Sequence, residues 1–146
     1  MKRTVELAIP LCSALAFLHD KGLIHRDVKP SNVIFVNGVP KFADIGLVTE
    51  METTRTDVTF VGTEGFMAPE GPGTARADVY SMGILLYEIS SGHKRQHFPA
   101  LPTNLGQRSD AKEFLRLNEI ILKACERDPA RRYQSAGELQ KALASL

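Results

Sequence analysis

The run over residues 76–91 constrains this chain more than any other. Val79, Tyr80, Met82, Ile84, Leu85, Leu86, Tyr87 and Ile89 put apolar side chains on nearly every side of a helix, and a helix that is apolar all round has to be buried. The fold must therefore wrap other elements around this segment as a central pillar. Gly92 is placed to close it.

Three further segments have the pattern needed to wrap it. Over 4–20, Val5, Ala8, Cys12, Leu15 and Leu18 recur at spacings of three and four, with Thr4 as N-cap and Gly22 after the end. Pro10 interrupts that helix and removes one backbone hydrogen bond. Over 110–126, Phe114, Leu117, Ile121 and Ala124 share a face, Asp110 and Glu113 stand at capping-box spacing, and Asp128-Pro129 stops the helix. The last helix opens with Ser135 and Glu138 and turns Leu139, Ala142, Leu143 and Leu146 inward.

Between the first helix and the pillar lie two strand-like runs, Val33-Ile34-Phe35-Val36 and Val39-Pro40-Lys41-Phe42-Ala43. They are joined by Asn37-Gly38, the pair best suited to a type I′ hairpin turn. Pro40 confines its strand to an edge or a strand start. Residues 49–65 are rich in Thr without a clear period and read as a long loop, as do residues 93–109. The fold class expected is mainly α with one short β-hairpin.

Composition supports a single packed domain: 146 residues, 43% hydrophobic, enough for a core. Eighteen basic residues against 17 acidic give a net charge of +1, which argues against nucleic acid or a membrane surface held by bulk charge. No apolar stretch approaches the ~18 residues of a membrane span. Cys12 and Cys125 form no Cys-x-x-Cys pair and read as buried reduced thiols of a cytoplasmic protein. His93 and His97 follow Gly92 and precede Pro99, so they read as residues of a solvated loop rather than a metal pair. Arg127, Arg131 and Arg132 are offset by Glu126 and Asp128 and read as structural ion pairing.

The chemistry is concentrated in His25-Arg26-Asp27-Val28-Lys29-Pro30-Ser31-Asn32, ahead of the hairpin, and in Asp44-Ile45-Gly46 just beyond it. This arrangement suits phosphoryl transfer. The Asn32 amide and the Asp44 carboxylate are two oxygen ligands that the hairpin can bring together around Mg²⁺. Asp27 can accept or orient the proton of an attacking hydroxyl, and Lys29 supplies positive charge to the transferring group.

The sequence here resembles the protein-kinase family, whose catalytic loop reads H-R-D-x-x-x-x-N. Asp44-Ile45-Gly46 resembles the family's D-F-G, with Ile45 in place of Phe, and Ala68-Pro69-Glu70 resembles its A-P-E. Gly62-Thr63-Glu64-Gly65-Phe66 looks like the substrate-facing segment, Asp78 like the aspartate that opens the central helix, and Arg132 like the arginine paired with Glu70. Lys29 and Thr63 follow the serine/threonine pattern. The short link from Glu70 to Asp78 looks more like bacterial members of the family.

The resemblance implies the C-terminal large lobe of the kinase-like α+β fold, covering 1–146. Its parts would be a catalytic loop over 24–32, the hairpin over 33–43, an activation segment over 44–70, the buried helix over 76–91 and C-terminal helices over 110–146. It implies ATP and Mg²⁺ as cofactors and protein Ser/Thr hydroxyls as acceptors. Asp27 and Lys29 would be catalytic. Lys29, Asn32, Ile34 and Asp44 would face ATP, with Asn32 and Asp44 on the metal. His25 would pack in the core, and Arg26 would pair with a phosphothreonine at Thr59, or less favourably Thr56 or Thr54.

No glycine-rich phosphate loop and no V-A-I-K lysine occur in the chain. The resemblance therefore leads to the expectation of a large lobe alone, in need of a small lobe in cis or in trans. Phosphate transfer by the isolated chain should be slow or absent, since positioning is most of what a kinase contributes. The competing expectation is a non-catalytic lobe that docks a partner through the face the small lobe would cover. Aminoglycoside-type phosphotransferases, which share an Asp and an Asn, fit less well because they lack Ala68-Pro69-Glu70 and the Lys29 placement.

Overall fold

The computed structural model describes residues 2–43, 49–50 and 63–146. Four helices carry the architecture: α1 (Lys2–Asp20), α2 (Ala75–Ser91), α3 (Ala111–Ala124) and α4 (Ala136–Ala144). Two small antiparallel ladders accompany them. β1 (Leu23–Ile24) pairs with β4 (Thr49–Glu50), and β2 (Val33–Val36) pairs with β3 (Val39–Phe42).

Helix α2 is the pillar. Its ends follow from two residues: the Thr74 hydroxyl accepts from Ala77 N at 3.0 Å, and Gly92 takes the left-handed conformation at φ 73°. Val79, Met82, Leu85 and Leu86 are buried against Leu11 and Leu15 of α1, Leu117 and Ile121 of α3, and Leu139 and Leu143 of α4. Burying each such side chain contributes about 1.5–3 kcal/mol, so the packed faces fix how the helices sit. Ile89, expected inside, is 38% exposed because it lies on the last turn, beyond the wrapping helices. Gly83 permits the closest approach, since a Cβ there would lie 2.5 Å from Cys125 Sγ and 3.0 Å from Ala124 Cβ. Cys12 and Cys125 are both free and buried, and burial pushes the Cys12 thiol up to about 12.

The hairpin has the register that Asn37-Gly38 dictates, Val36 opposite Val39 and Val33 opposite Phe42, with φ of 54° and 78° at the two turn residues. Pro40 faces Phe35 at the position next to the closing pair, where ladder bonds alternate away from the partner, so its missing N–H costs nothing there.

Several local expectations are corrected. Helix α1 begins at Lys2, so Thr4 lies inside it, and the helix runs on through Pro10. Thr49 and Glu50 form a strand with Leu23 and Ile24 where the Thr-rich segment reads as loop, because pairing with a distant strand has no local signal. Asp110 makes no capping bond. Its carboxylate takes the Arg108 guanidinium instead, at 2.8 and 3.1 Å, a stronger partner than a backbone N–H. In α4 the Ser135 half of the capping box forms at 3.1 Å, but Glu138 reaches Gln134 N rather than Ser135 N.

Candidate active site

The loop after β1 is built on one carboxylate. Asp78 lies in the first turn of α2, where the helix dipole favours an anion, and it is 2% exposed. Its Oδ2 accepts from His25 N at 2.8 Å and from His19 Nε2 at 2.9 Å, and its Oδ1 accepts from Arg26 N at 2.9 Å. Arg26 stands at φ 68°, a left-handed conformation that costs a non-glycine residue about 1–3 kcal/mol. The charge-assisted bonds to Asp78 offset that cost and hold the turn that leads into Asp27. His25 is buried with its ring against Phe42, centroids 4.6 Å apart, and its Nδ1 accepts from Asp27 N at 3.3 Å.

Asp27, thus aimed, meets three partners. Asn32 Nδ2 donates to its Oδ2 at 2.9 Å and to its carbonyl at 2.7 Å, Lys29 Nζ lies 2.9 Å from Oδ2, and the Thr63 hydroxyl donates to Oδ1 at 3.1 Å. Lys29 Nζ also donates to Thr63 Oγ1 at 2.7 Å. One hydroxyl is therefore held between a carboxylate and an ammonium. Burial opposes ionisation of Asp27, but the bonds from Lys29, Asn32 and Thr63 and the Lys29 charge outweigh it and hold the carboxyl below its ordinary value of 3.8. At neutral pH it is an anion and an acceptor only.

A second post stands beside α2. The Arg132 side chain is wholly buried and forms a two-pronged pair with Glu70, Nη2 to Oε2 at 2.8 Å. It also donates to the carbonyls of Glu126, Arg127 and Arg76 and lies 4.9 Å from the Tyr80 ring centroid. Burial again opposes ionisation of Glu70, and the Arg132 bonds and charge lower its carboxyl below 4.5 regardless.

Of the residues singled out from sequence, Asp27, Lys29, Asn32 and Thr63 share one cluster, and His25, Arg26 and Asp78 build its base. Glu70 and Arg132 form the separate post. Ile34 lies on β2, 44% exposed, with Phe35, Val36 and Val39 exposed beside it. Asp44, Ile45, Gly46, Thr54, Thr56, Thr59 and Gly62 lie outside the described residues. His19, the third partner of Asp78, has no sequence signal beyond sitting at the end of α1. Ser81, whose hydroxyl donates to Phe66 O at 2.6 Å, is equally silent among the apolar residues of the pillar.

A hard divalent cation takes oxygen donors. The Asn32 amide nitrogen donates to Asp27, and its amide oxygen is a hard donor of the kind Mg²⁺ takes, so its chemistry fits that ion.

Comparison with known proteins places these features in a wider set. A family model described as the protein kinase domain matches residues 2–145. The chain is 35% identical to the serine/threonine-protein kinase PknB of Mycolicibacterium smegmatis, over 97% of this chain and 26% of that protein. It is 33% identical to PknB of Mycobacterium tuberculosis over the same shares. It is 34% identical to a probable serine/threonine-protein kinase of Corynebacterium efficiens, over 99% of this chain and 25% of that protein. The chain spans about a quarter of the length of the curated relatives it matches.

Proposed function

The chain belongs to the protein kinase domain family, and from that premise we propose that it is the large-lobe part of a serine/threonine protein kinase. The observation that carries this reading is the Thr63 hydroxyl, held at 3.1 Å from Asp27 Oδ1 and 2.7 Å from Lys29 Nζ. A protein Ser or Thr hydroxyl entering the same cleft would find the same pair. Asp27, kept anionic by its three donors, would take the hydroxyl proton as the oxygen bonds to phosphorus and the bond to the leaving oxygen breaks. Lys29 would hold the transferring group, and Asn32, with Asp44, would ligate the metal. Mg-ATP, when bound, supplies the phosphoryl group and the cation that neutralises its charge. Ile34, exposed on β2, would offer an apolar wall to the adenine.

Regulation follows from Arg26, whose Nε is buried and has no partner among the described residues. A phosphothreonine at Thr59 would supply one. Active protein found with that threonine unmodified would remove this part of the reading.

The exposed apolar residues of the hairpin favour one alternative, a lobe that binds a partner without catalysis. Val39 at 46%, Ile34 at 44% and Val36 at 40% exposure share one face of the hairpin, a patch that a covering domain would bury. Two measurements separate the readings. The intact mass of the native protein, captured with an antibody against residues 110–146, is expected to exceed 16.1 kDa, as a kinase with a small lobe requires. In that protein, Asp27→Asn should lower Mg-ATP-dependent phosphorylation of casein by about a thousandfold or more. Transfer unaffected by Asp27→Asn would overturn the kinase reading. A native mass of 16.1 kDa with no transfer would leave binding as the function.

A further inference from the structure

The segment that carries Thr63 is held by a residue that none of the kinase-like motifs includes. Arg95, in the short turn after α2, donates from Nε to the Glu64 carbonyl at 2.8 Å and stacks its guanidinium over the Phe66 ring at 4.7 Å. It is itself fixed to the pillar: Glu88 of α2 accepts from Arg95 N at 2.8 Å and faces its guanidinium at 3.7 Å. Gly65 fits the same contact. It stands at φ 84°, and a Cβ there would lie 2.5 Å from Arg95 Nε, so only glycine admits the side chain. Ser81 holds the Phe66 carbonyl from the other side at 2.6 Å, and Phe66 N closes a turn onto Thr63 O at 3.1 Å.

We propose that Arg95 is a positioning residue. By holding the Glu64 carbonyl and the Phe66 ring against α2, it fixes Thr63 between Asp27 and Lys29 and so sets where an acceptor hydroxyl can enter. The last step rests on the kinase reading; the clamp itself does not. The reasoning is geometric. Thr63 reaches Asp27 and Lys29 through one hydroxyl at the end of a segment with a positive-φ glycine in its middle. Such a segment keeps a side chain in register only if its backbone is tied on both sides. Ser81 ties one side and Arg95 the other. Loss of Arg95 frees the Glu64–Gly65 link and leaves the rest of the helical core untouched.

The test uses the 146-residue chain, labelled with ¹⁵N, and its Arg95→Ala and Phe66→Leu variants. Amide hydrogen exchange at residue 66 reads the turn onto Thr63, and the Lys29 ammonium signal reads whether the Thr63 hydroxyl still accepts from it. Both variants should speed exchange at residue 66 about tenfold or more, while amides of α3 and α4 stay within about twofold. The Lys29 ammonium resonance should shift or broaden as it loses Thr63. A loss of protection spread evenly over all four helices would mean that Arg95 serves general stability and would overturn the proposal. So would a Lys29 signal unchanged in both variants, whatever the amide at residue 66 does. Neither signal depends on phosphoryl transfer. An inactive native protein therefore counts against the kinase reading alone, and an unmoved Lys29 signal counts against the clamp alone.

Discussion

Two buried charges anchor the chain around the pillar helix, one in its first turn and one beside it, and they hold it in opposite ways. Asp78 is an acid that collects donors: two backbone N–H groups and His19. Arg132 is a base that collects acceptors: the carbonyls of Glu126, Arg127 and Arg76, and the Glu70 carboxylate. The difference lies in the partner. The Asp78 side chain is 2% exposed and the His19 side chain it meets 7%, so solvent has little access to replace a lost bond. Arg132 faces a carboxylate whose side chain is 29% exposed and can return to water. The first post holds a strained turn and aims Asp27. The second ties a surface segment to the core. A buried charge surrounded by dipoles is the tighter anchor, because every bond it loses leaves a desolvated group behind.

That contrast sets the order of effects expected from substitution. Asp78→Ala strands the His25 and Arg26 amides and relaxes the positive φ of Arg26, and should cost about 3–5 kcal/mol in urea unfolding. Asp78→Asn keeps the shape and one acceptor and should cost visibly less; equal losses would mean that shape rather than charge holds the loop. Arg132→Met should cost about 2–3 kcal/mol, chiefly through three carbonyls left without a donor. Glu70→Gln should cost about 1 kcal/mol or less, since solvent screens that side of the pair. A Glu70→Gln loss as large as that of Arg132→Met would erase the distinction between the posts.

The smallest effect is a pH dependence. Asp27 and Glu70 both have folded-state carboxyls below their ordinary values of 3.8 and 4.5. Each contributes stability that is present above its ordinary value and lost as pH falls through the lower folded one. The unfolding midpoint should therefore drop on acidification below about pH 4.5, and each of Asp27→Asn and Glu70→Gln should flatten part of that slope. A midpoint that rises in this range would reverse the sign assigned to both groups.

What was legible in the sequence follows the range of the physics. The pillar, the hairpin turn at Asn37-Gly38 and the cap at Ser135 could be read because each depends on neighbours within about one turn of chain. The cluster of Asp27, Lys29 and Asn32 was readable for the same reason, its members lying within a single loop. Asp110 misled because a capping spacing says nothing of Arg108, which offers its carboxylate a better partner two residues away. His19, Ser81 and Arg95 gave no signal, since each acts on a segment far along the chain.

By itself, the sequence determined which segments are helices, where the hairpin turns, and that acid, base and amide stand together in one loop. Only the tertiary structure decided what holds that loop in a usable shape. The bonds from Asp78 to His25 and Arg26 span 53 and 52 residues, and the Thr63 hydroxyl reaches Asp27 across 36. Such contacts form because the packing of α2 brings distant groups within hydrogen-bond reach, and no local preference encodes that packing.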